Sequence, residues 1–241
     1  MPTYLYCLTR DDADPPSALR GIDGAPVRVV DERGVRAWVS DVGTPPAVTA
    51  ERARAHDAVI REALRISTPL PARFGQVLAD DASMRQELVQ RVARIASELQ
   101  RVRGMVEMTV RVALGESSVS KSLSIKDLSG REYLERLSEQ QQNDLRRRQR
   151  AEFLQRRVAD AVANVVREEV VSTASGSGES AMLVISHLVA REHVTRYRDA
   201  VREVVRAIGE EEASTDQAPL AIPLMISGPW APYSFVELRR D

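Results

Sequence analysis

"MVEMTVRVAL", residues 105–114, sets Val106, Met108, Val110 and Val112 against Glu107, Thr109 and Arg111. A two-residue period of this kind belongs to a strand with one face buried and the other solvated. The residues beyond Leu114 determine how the rest of the chain is built. "GESSVSKSLSIKDLSG" is polar and Ser-rich, a loop. After Gly130 there is neither proline nor glycine up to residue 170, so one helix is permitted over 129–170. "STASGSGES" then reads as a flexible loop and "AMLVISHLVA" as a buried strand. "REHVTRYRDAVREVVRAIG" predicts a helix with Val194, Tyr197, Val201, Val204, Val205 and Ile208 inward, stopped at Gly209. "EEASTDQA" is a loop, and "LAIPLMIS" a last strand edged or kinked at Pro223. Strand, long helix, strand, helix, strand from residue 105 onward suits an α+β sandwich with its helices on one face.

Working back from residue 105, "TYLYCL" is a first strand ended by the turn formers "DDADPP". "VRVVD" and "VRAWVS" flank "ERG" at Gly34 as a hairpin. "TAERARAHDAVIREALR" places Ala53, His56, Val59, Ile60, Ala63 and Leu64 at helical spacing behind Thr49, a capping residue. "STPLPARFGQVL" carries Pro69 and Pro71, which lack ladder donors, so it predicts an irregular edge segment. In the next helix Ser83 is the expected cap and Gly104 the stop, with Leu88, Val92, Ile95 and Leu99 as the apolar stripe. These elements divide the chain into an N-terminal α+β domain, 1–104, and a C-terminal α+β domain, 105–241, containing the long helix.

Composition bounds the chemistry. The 241 residues are 43% hydrophobic and carry a formal charge of −1, so no whole-molecule field gathers nucleic acid or anionic lipid. Cys7 is the single cysteine, which excludes an internal disulfide and a cysteine-rich zinc site and suits a reducing compartment. No apolar run approaches the roughly 20 residues that span a bilayer, and the N-terminus lacks a basic leader, so a cytoplasmic soluble protein is expected. His56, His187 and His193 stand apart without metal-ligand spacing. "GESSVSKS" imitates a phosphate loop but has Ser120 where the second glycine belongs, and "GSG" at 176–178 is a linker pattern. With no nucleophile elbow either, the expectation is no catalytic residue, no metal and no cofactor.

The middle of the long helix differs from its ends. "SEQQQNDLRRRQR" is polar almost all round, while Leu154, Val158, Val162 and Val165 form an apolar stripe after it. Arg146, Arg147, Arg148, Arg150, Arg156 and Arg157 fall within 14 residues and could grip phosphates or an acidic protein surface. Residues 131–169 also hold eight carboxylates beside nine arginines, many at helical neighbour spacing, which makes a solvated, salt-paired face the competing reading.

Two further stretches carry a resemblance. "PLPARFGQVL" supplies Pro71, Arg73, Phe74 and Gly75, and "SGPWAPYSFVEL" supplies Gly228, Pro229, Trp230, Pro232, Tyr233, Ser234 and Phe235. Together with the opening "TYLYCL" they resemble the GvpF/GvpL family of gas vesicle proteins, whose pattern ends on a "GPWPPYSF"-like run; Ala231 departs from its second proline. The resemblance implies two α+β domains, the second a modified ferredoxin-like fold. It also implies a non-enzymatic accessory protein of gas vesicle formation that binds the hydrophobic shell protein and other accessory gas vesicle proteins. It favours structural roles for the two motifs, with Trp230, Tyr233 and Phe235 as an aromatic lid over a sheet end or, alternatively, as a contact for the shell protein. A nucleic-acid-binding or regulatory module using the arginine run is the alternative function, against which the near-neutral charge argues.

Overall fold

The structure is a computed structural model that describes residues 1–10, 12–116, 130–175, 180–213 and 224–236 of the chain. Its contacts divide the chain into two units, Met1–Glu107 with Gly228–Asp241, and Met108–Ser227. The boundary expected from the sequence keeps residues 228–241 with the second domain. By contacts they group with the first, where Ser234 bonds Glu107 and the Phe235 carbonyl bonds Arg101.

In the first unit β1 (Thr3–Arg10), β2 (Arg28–Glu32), β3 (Val35–Asp41), β4 (Leu70–Pro71) and β5 (Val77–Leu78) form one sheet in the order β2-β3-β1-β4, with β5 also on β1. The β2–β3 loop has two residues, Arg33 at φ 51° and Gly34 at φ 80°. Two positive φ values make it the tight hairpin turn whose twist matches the flanking strands. As the prolines dictate, "STPLPARFGQVL" yields only two short pairings on the edge of β1.

Both faces of this sheet are covered. α1 (Ala50–Ile66) is capped by Thr49, whose hydroxyl accepts the Arg52 N–H at 3.2 Å. Its Val59, Ile60 and Ala63 share a buried cluster with Tyr4, Tyr6, Cys7 and Trp38. α2 (Asp81–Arg101) presents Met84, Leu88, Ile95 and Leu99 to Leu5, Leu8, Val30 and Val39 on the other face. Its cap is Asp80, which accepts the Ser83 N–H at 2.8 Å, not the expected Ser83. A carboxylate three residues ahead of a free N–H serves better than a hydroxyl within the first turn. A bulge in β1, where Leu5 and Cys7 face consecutive residues Val39 and Trp38, makes Tyr6 the extra residue. Tyr6 and Cys7 thereby both join the α1 face, which strict alternation forbids.

The second unit runs β6 (Met105–Glu116), α3 (Gly130–Val162), β7 (Val166–Ser175), β8 (Ser180–Ala190), α4 (Val194–Ala213) and β9 (Leu224–Trp230), with sheet order β7-β8-β6-β9. This β-α-β-β-α-β order is compatible with the ferredoxin-like arrangement. Leu154, Val158 and Val162 of α3 and Tyr197, Val201, Val204 and Ile208 of α4 pack with Met108, Val110, Val112, Leu183 and Ile185 of the sheet. Burial of each such side chain is worth about 1.5 to 3 kcal/mol.

Three expectations are corrected here. α3 ends at Val162, not near residue 170, and "VREEVVSTAS" is β7, paired antiparallel with β8. Lack of Gly and Pro allows a helix but does not extend it: the β-branched run Val165, Val166, Val170, Val171, Thr173 prefers the pleated sheet. α4 continues through Gly209 to Ala213, because a glycine near a helix end stops it only when the chain takes a left-handed turn there. Finally, the polar face of β6 is not solvated, since Glu107 and Thr109 are buried along with their apolar neighbours. The phosphate-loop imitation beyond Glu116, "GSG" at 176–178 and Pro223 lie outside the described residues.

Candidate partner-binding surface

The "LPARFG" motif closes over an aromatic cluster in the first unit. Pro71 pairs with Cys7 at the sheet edge, and the Ala72 N–H donates to the Tyr6 carbonyl at 2.8 Å. The Ala72 carbonyl accepts from His56 Nε2 at 3.1 Å, so His56 Nδ1 is left to accept the Tyr4 hydroxyl proton at 2.8 Å. The Tyr4 oxygen in turn accepts the Gly75 N–H at 3.1 Å. Gly75 stands at φ 89°, a conformation that L side chains rarely adopt. Phe74 lies edge-on to both Tyr4 and His56, with ring centroids 6.1 and 5.7 Å away. Arg73, between these anchored neighbours, points into solvent. Burial pushes the Tyr4 hydroxyl up to about 12, so it stays a proton donor.

The C-terminal motif is held by its far end. Glu107, 5% exposed, accepts both the Ser234 N–H and the Ser234 hydroxyl at 2.8 Å. Arg101 Nη2 donates to the Phe235 carbonyl at 2.6 Å. Ala231, Pro232 and Phe235 are buried, Trp230 is half-buried, and Tyr233 is 40% exposed. Gly228 takes φ 115°, which favours glycine. The three aromatics therefore do not make a uniform lid: Phe235 is the inserted ring, whereas Trp230 and Tyr233 keep open surface. Glu107 is missed by sequence reasoning, which puts it on a solvent face. Its alternation with Val106 and Met108 gives no sign of that burial, because the Ser234 partner lies 127 residues away.

α3 carries the arginine run. At 33 residues it is about 50 Å long. Its last third packs into the core, but the described side chains between residues 137 and 149 are exposed, including Leu145 at 56%. Arg146 and Arg148 lie in this exposed part. Further along, Arg150 and Arg157 stack on Phe153, their guanidinium carbons 5.4 and 5.7 Å from its centroid. Arg157 also reaches Glu211 of α4 at 3.0 Å, and Arg156 pairs with Glu152. The run thus splits into an unpacked stretch and a salt-paired one; the Arg147 side chain is outside the described set.

The remaining polar groups tie elements together. His187, fully buried, donates from Nε2 to Glu169 at 2.9 Å, so its Nδ1 accepts the Tyr197 hydroxyl proton at 2.7 Å. The second Glu169 oxygen accepts Gln155 at 2.9 Å, so the relay spans α4, β8, β7 and α3. Tyr197 is fully buried and its proton is already committed, which makes the relay a cross-brace. His193 stands in the single turn before α4 and is half-buried. Burial also raises the Cys7 thiol, keeping it protonated and unreactive.

Burial lowers the pKa of both His187 and His56 below the ordinary 6.5, more than the hydrogen bonds to Glu169 and Ala72 raise it. The unfolded chain then binds protons that the folded chain refuses. Stability is complete above about pH 6.5 and falls on acidification from there, by at most about 1.4 kcal/mol per pH unit for each histidine. Thermal unfolding between pH 7.5 and 5.5 should show this decline, and His187→Gln should flatten it. A melting temperature independent of pH over that range contradicts the assignment.

Two antiparallel sheets with four long helices make this an α+β protein, organised as two units. The chain belongs to the gas vesicle synthesis protein GvpL/GvpF family, whose profile matches residues 2–237. It is 28% identical to gas vesicle protein L of a Streptomyces species, over 99% of this chain and 94% of that protein. It is also 28% identical to gas vesicle protein F of Haloferax mediterranei, over 91% and 86% of the two chains. The crystal structure of GvpF from an Anabaena species superposes with a TM-score of 0.76 at 19% identity, covering 99% of this chain and 97% of that one. GvpF from Microcystis aeruginosa gives 0.74 at 16%, over 98% and 99%. The family makes this a gas vesicle-associated protein. No helix among the described residues is long and apolar enough to cross a membrane.

Proposed function

We propose that this chain is a non-enzymatic, cytoplasmic assembly factor that binds the hydrophobic gas vesicle shell protein and other accessory gas vesicle proteins, without cofactor, metal, nucleic acid or membrane. The observation that supports it is the unpacked stretch of α3, where Arg146, Arg148 and Leu145 are presented on a helix that makes no use of them in its own core. A helix polar all round is stabilised by partners or by solvent rather than by burial. Guanidinium groups beside an exposed leucine suit a protein surface that is part acidic and part apolar.

Simultaneous Arg146→Glu, Arg147→Glu and Arg148→Glu should weaken capture of purified shell protein or of a purified accessory protein at least tenfold. The unfolding free energy should change by no more than ordinary surface substitutions do, about 0.5 kcal/mol for each. Undiminished binding of both would remove α3 as the docking element. Salt-sensitive retention of the wild-type chain on immobilised RNA or DNA, lost in the variant, would favour nucleic acid instead.

A further inference from the structure

We propose that the cleft between α4 and the outer edge of β9 is a strand-addition site for an extended partner segment that carries aliphatic side chains followed by carboxylates. This rests on the geometry of the second unit alone and stands whether or not α3 binds the shell protein. β9 is the last strand on its side of the sheet, with none beyond it among the described residues. An edge of this kind offers a row of backbone N–H and C=O groups to an incoming strand. Beside it lies a cleft of 440 Å³ lined by Arg198, Arg202 and Val205 of α4 and by Leu224 and Ile226 of β9.

The lining states what fits. Leu224 and Ile226 alternate with the exposed Met225, so both face the helix layer, and each is only partly buried at the margin of the core. With Val205 they make an apolar wall. Arg198 and Arg202, one helical turn apart, make the other end of the cleft basic. Arg202 reaches Asp199 at 3.1 Å, an exposed pairing that screening leaves weak. Arg206, on the next turn, contrasts with it: Glu203 and Glu210 both bond its guanidinium. From Arg198 to Val205 the helix rises about 10 Å, close to three residues of strand. Side chains two apart on an added strand point to the same face. Aliphatic residues on that face meet Val205, Leu224 and Ile226, and acidic residues two and four positions on meet the arginines. Arginine forks bind carboxylates through paired hydrogen bonds, which fixes register as well as sign.

The test uses the full chain and a fluorescein-labelled octapeptide, Thr-Val-Thr-Leu-Thr-Glu-Thr-Asp, with fluorescence anisotropy as the readout. The expected result is saturable binding, weakened at least tenfold by Arg198→Glu with Arg202→Glu while the circular-dichroism melt is kept. The same peptide with both acids replaced by lysine should not bind. A peptide N-methylated on alternate amides should lose at least tenfold on the unaltered protein, a readout that does not depend on any variant folding. Absence of binding at millimolar peptide overturns the site, and equal binding of the acidic and lysine peptides overturns its charge preference. Equal binding of the N-methylated peptide overturns strand addition. A concentration-dependent dimer in sedimentation, abolished by the double arginine variant, assigns the cleft to a second copy of the chain and overturns the proposal as stated.

Discussion

Gly21→Ala lowers the stability of this protein by about 3 to 5 kcal/mol, measured as the shift in urea unfolding, even though the residue lies in a loop and not in a strand or helix. A Cβ at this position would stand 1.9 Å from the Tyr6 hydroxyl oxygen, 2.5 Å from its Cζ and 3.2 Å from Ser40 Oγ. The Tyr6 ring is fully buried and cannot swing into solvent. Its hydroxyl accepts the Ile22 N–H at 2.9 Å and donates to Ser40 Oγ at 3.1 Å, and Ser40 donates onward to the Pro26 carbonyl at 2.9 Å. Forcing one methyl into a filled core costs about 1 to 3 kcal/mol. Displacing the ring also leaves buried donors unpaired, at about 1 to 3 kcal/mol for such a group. Gly43→Ala is the control: no atom lies within 4 Å of a Cβ there, so its effect should stay within about 0.5 kcal/mol. Equal effects of the two alanines would sink the close-contact explanation.

Gly21 also shows where sequence and structure part. Nothing in "LRGIDGAP" marks one glycine as pressed against a tyrosine fifteen residues earlier; that contact exists only after β1 and the loop have packed. The α+β class was legible, because periods of two and of 3.6 mark β1, β2, β3, α1, α2, β6, β8 and α4 in the residues themselves. β7 was legible only in part. The β-branched run Val165, Val166, Val170, Val171 and Thr173 favours a strand, but the unbroken stretch without Gly or Pro equally permits a helix, and the pairing with β8 decides between them. The bulge at Tyr6 likewise depends on a partner strand. At the motifs, the residue types were legible and their geometry was not. Phe74 and Gly75 gain their meaning from Tyr4 and His56, and Ser234 from Glu107, contacts that span between 18 and 127 residues of chain. The exposed stretch of α3 was readable because exposure needs no partner: a segment with no apolar face has nothing to bury.

The C-terminal motif gives the second large effect. Phe235→Ala should cost about 3 to 5 kcal/mol, the range for emptying a buried aromatic site, and should lower the melting temperature accordingly. The ring is 8% exposed, the Phe235 N–H reaches the Pro232 carbonyl at 3.2 Å, and the neighbouring Val236 packs against the cluster under α2. Truncating the ring therefore opens a cavity at a point where Arg101 and Glu107 still hold the backbone on either side, which restricts collapse. Trp230→Ala, at a half-buried ring, should cost roughly half as much, since the area returned to water scales the loss. A Trp230 variant that destabilises more than the Phe235 variant would reverse this ordering and restore Trp230 as the principal lid. The same pair separates packing from recognition. Trp230 and Tyr233 keep exposed surface, so Trp230→Ala can weaken capture of the shell protein at temperatures where the variant remains folded. Phe235→Ala should weaken capture only in step with the fraction unfolded, because its ring presents almost nothing for a partner to touch.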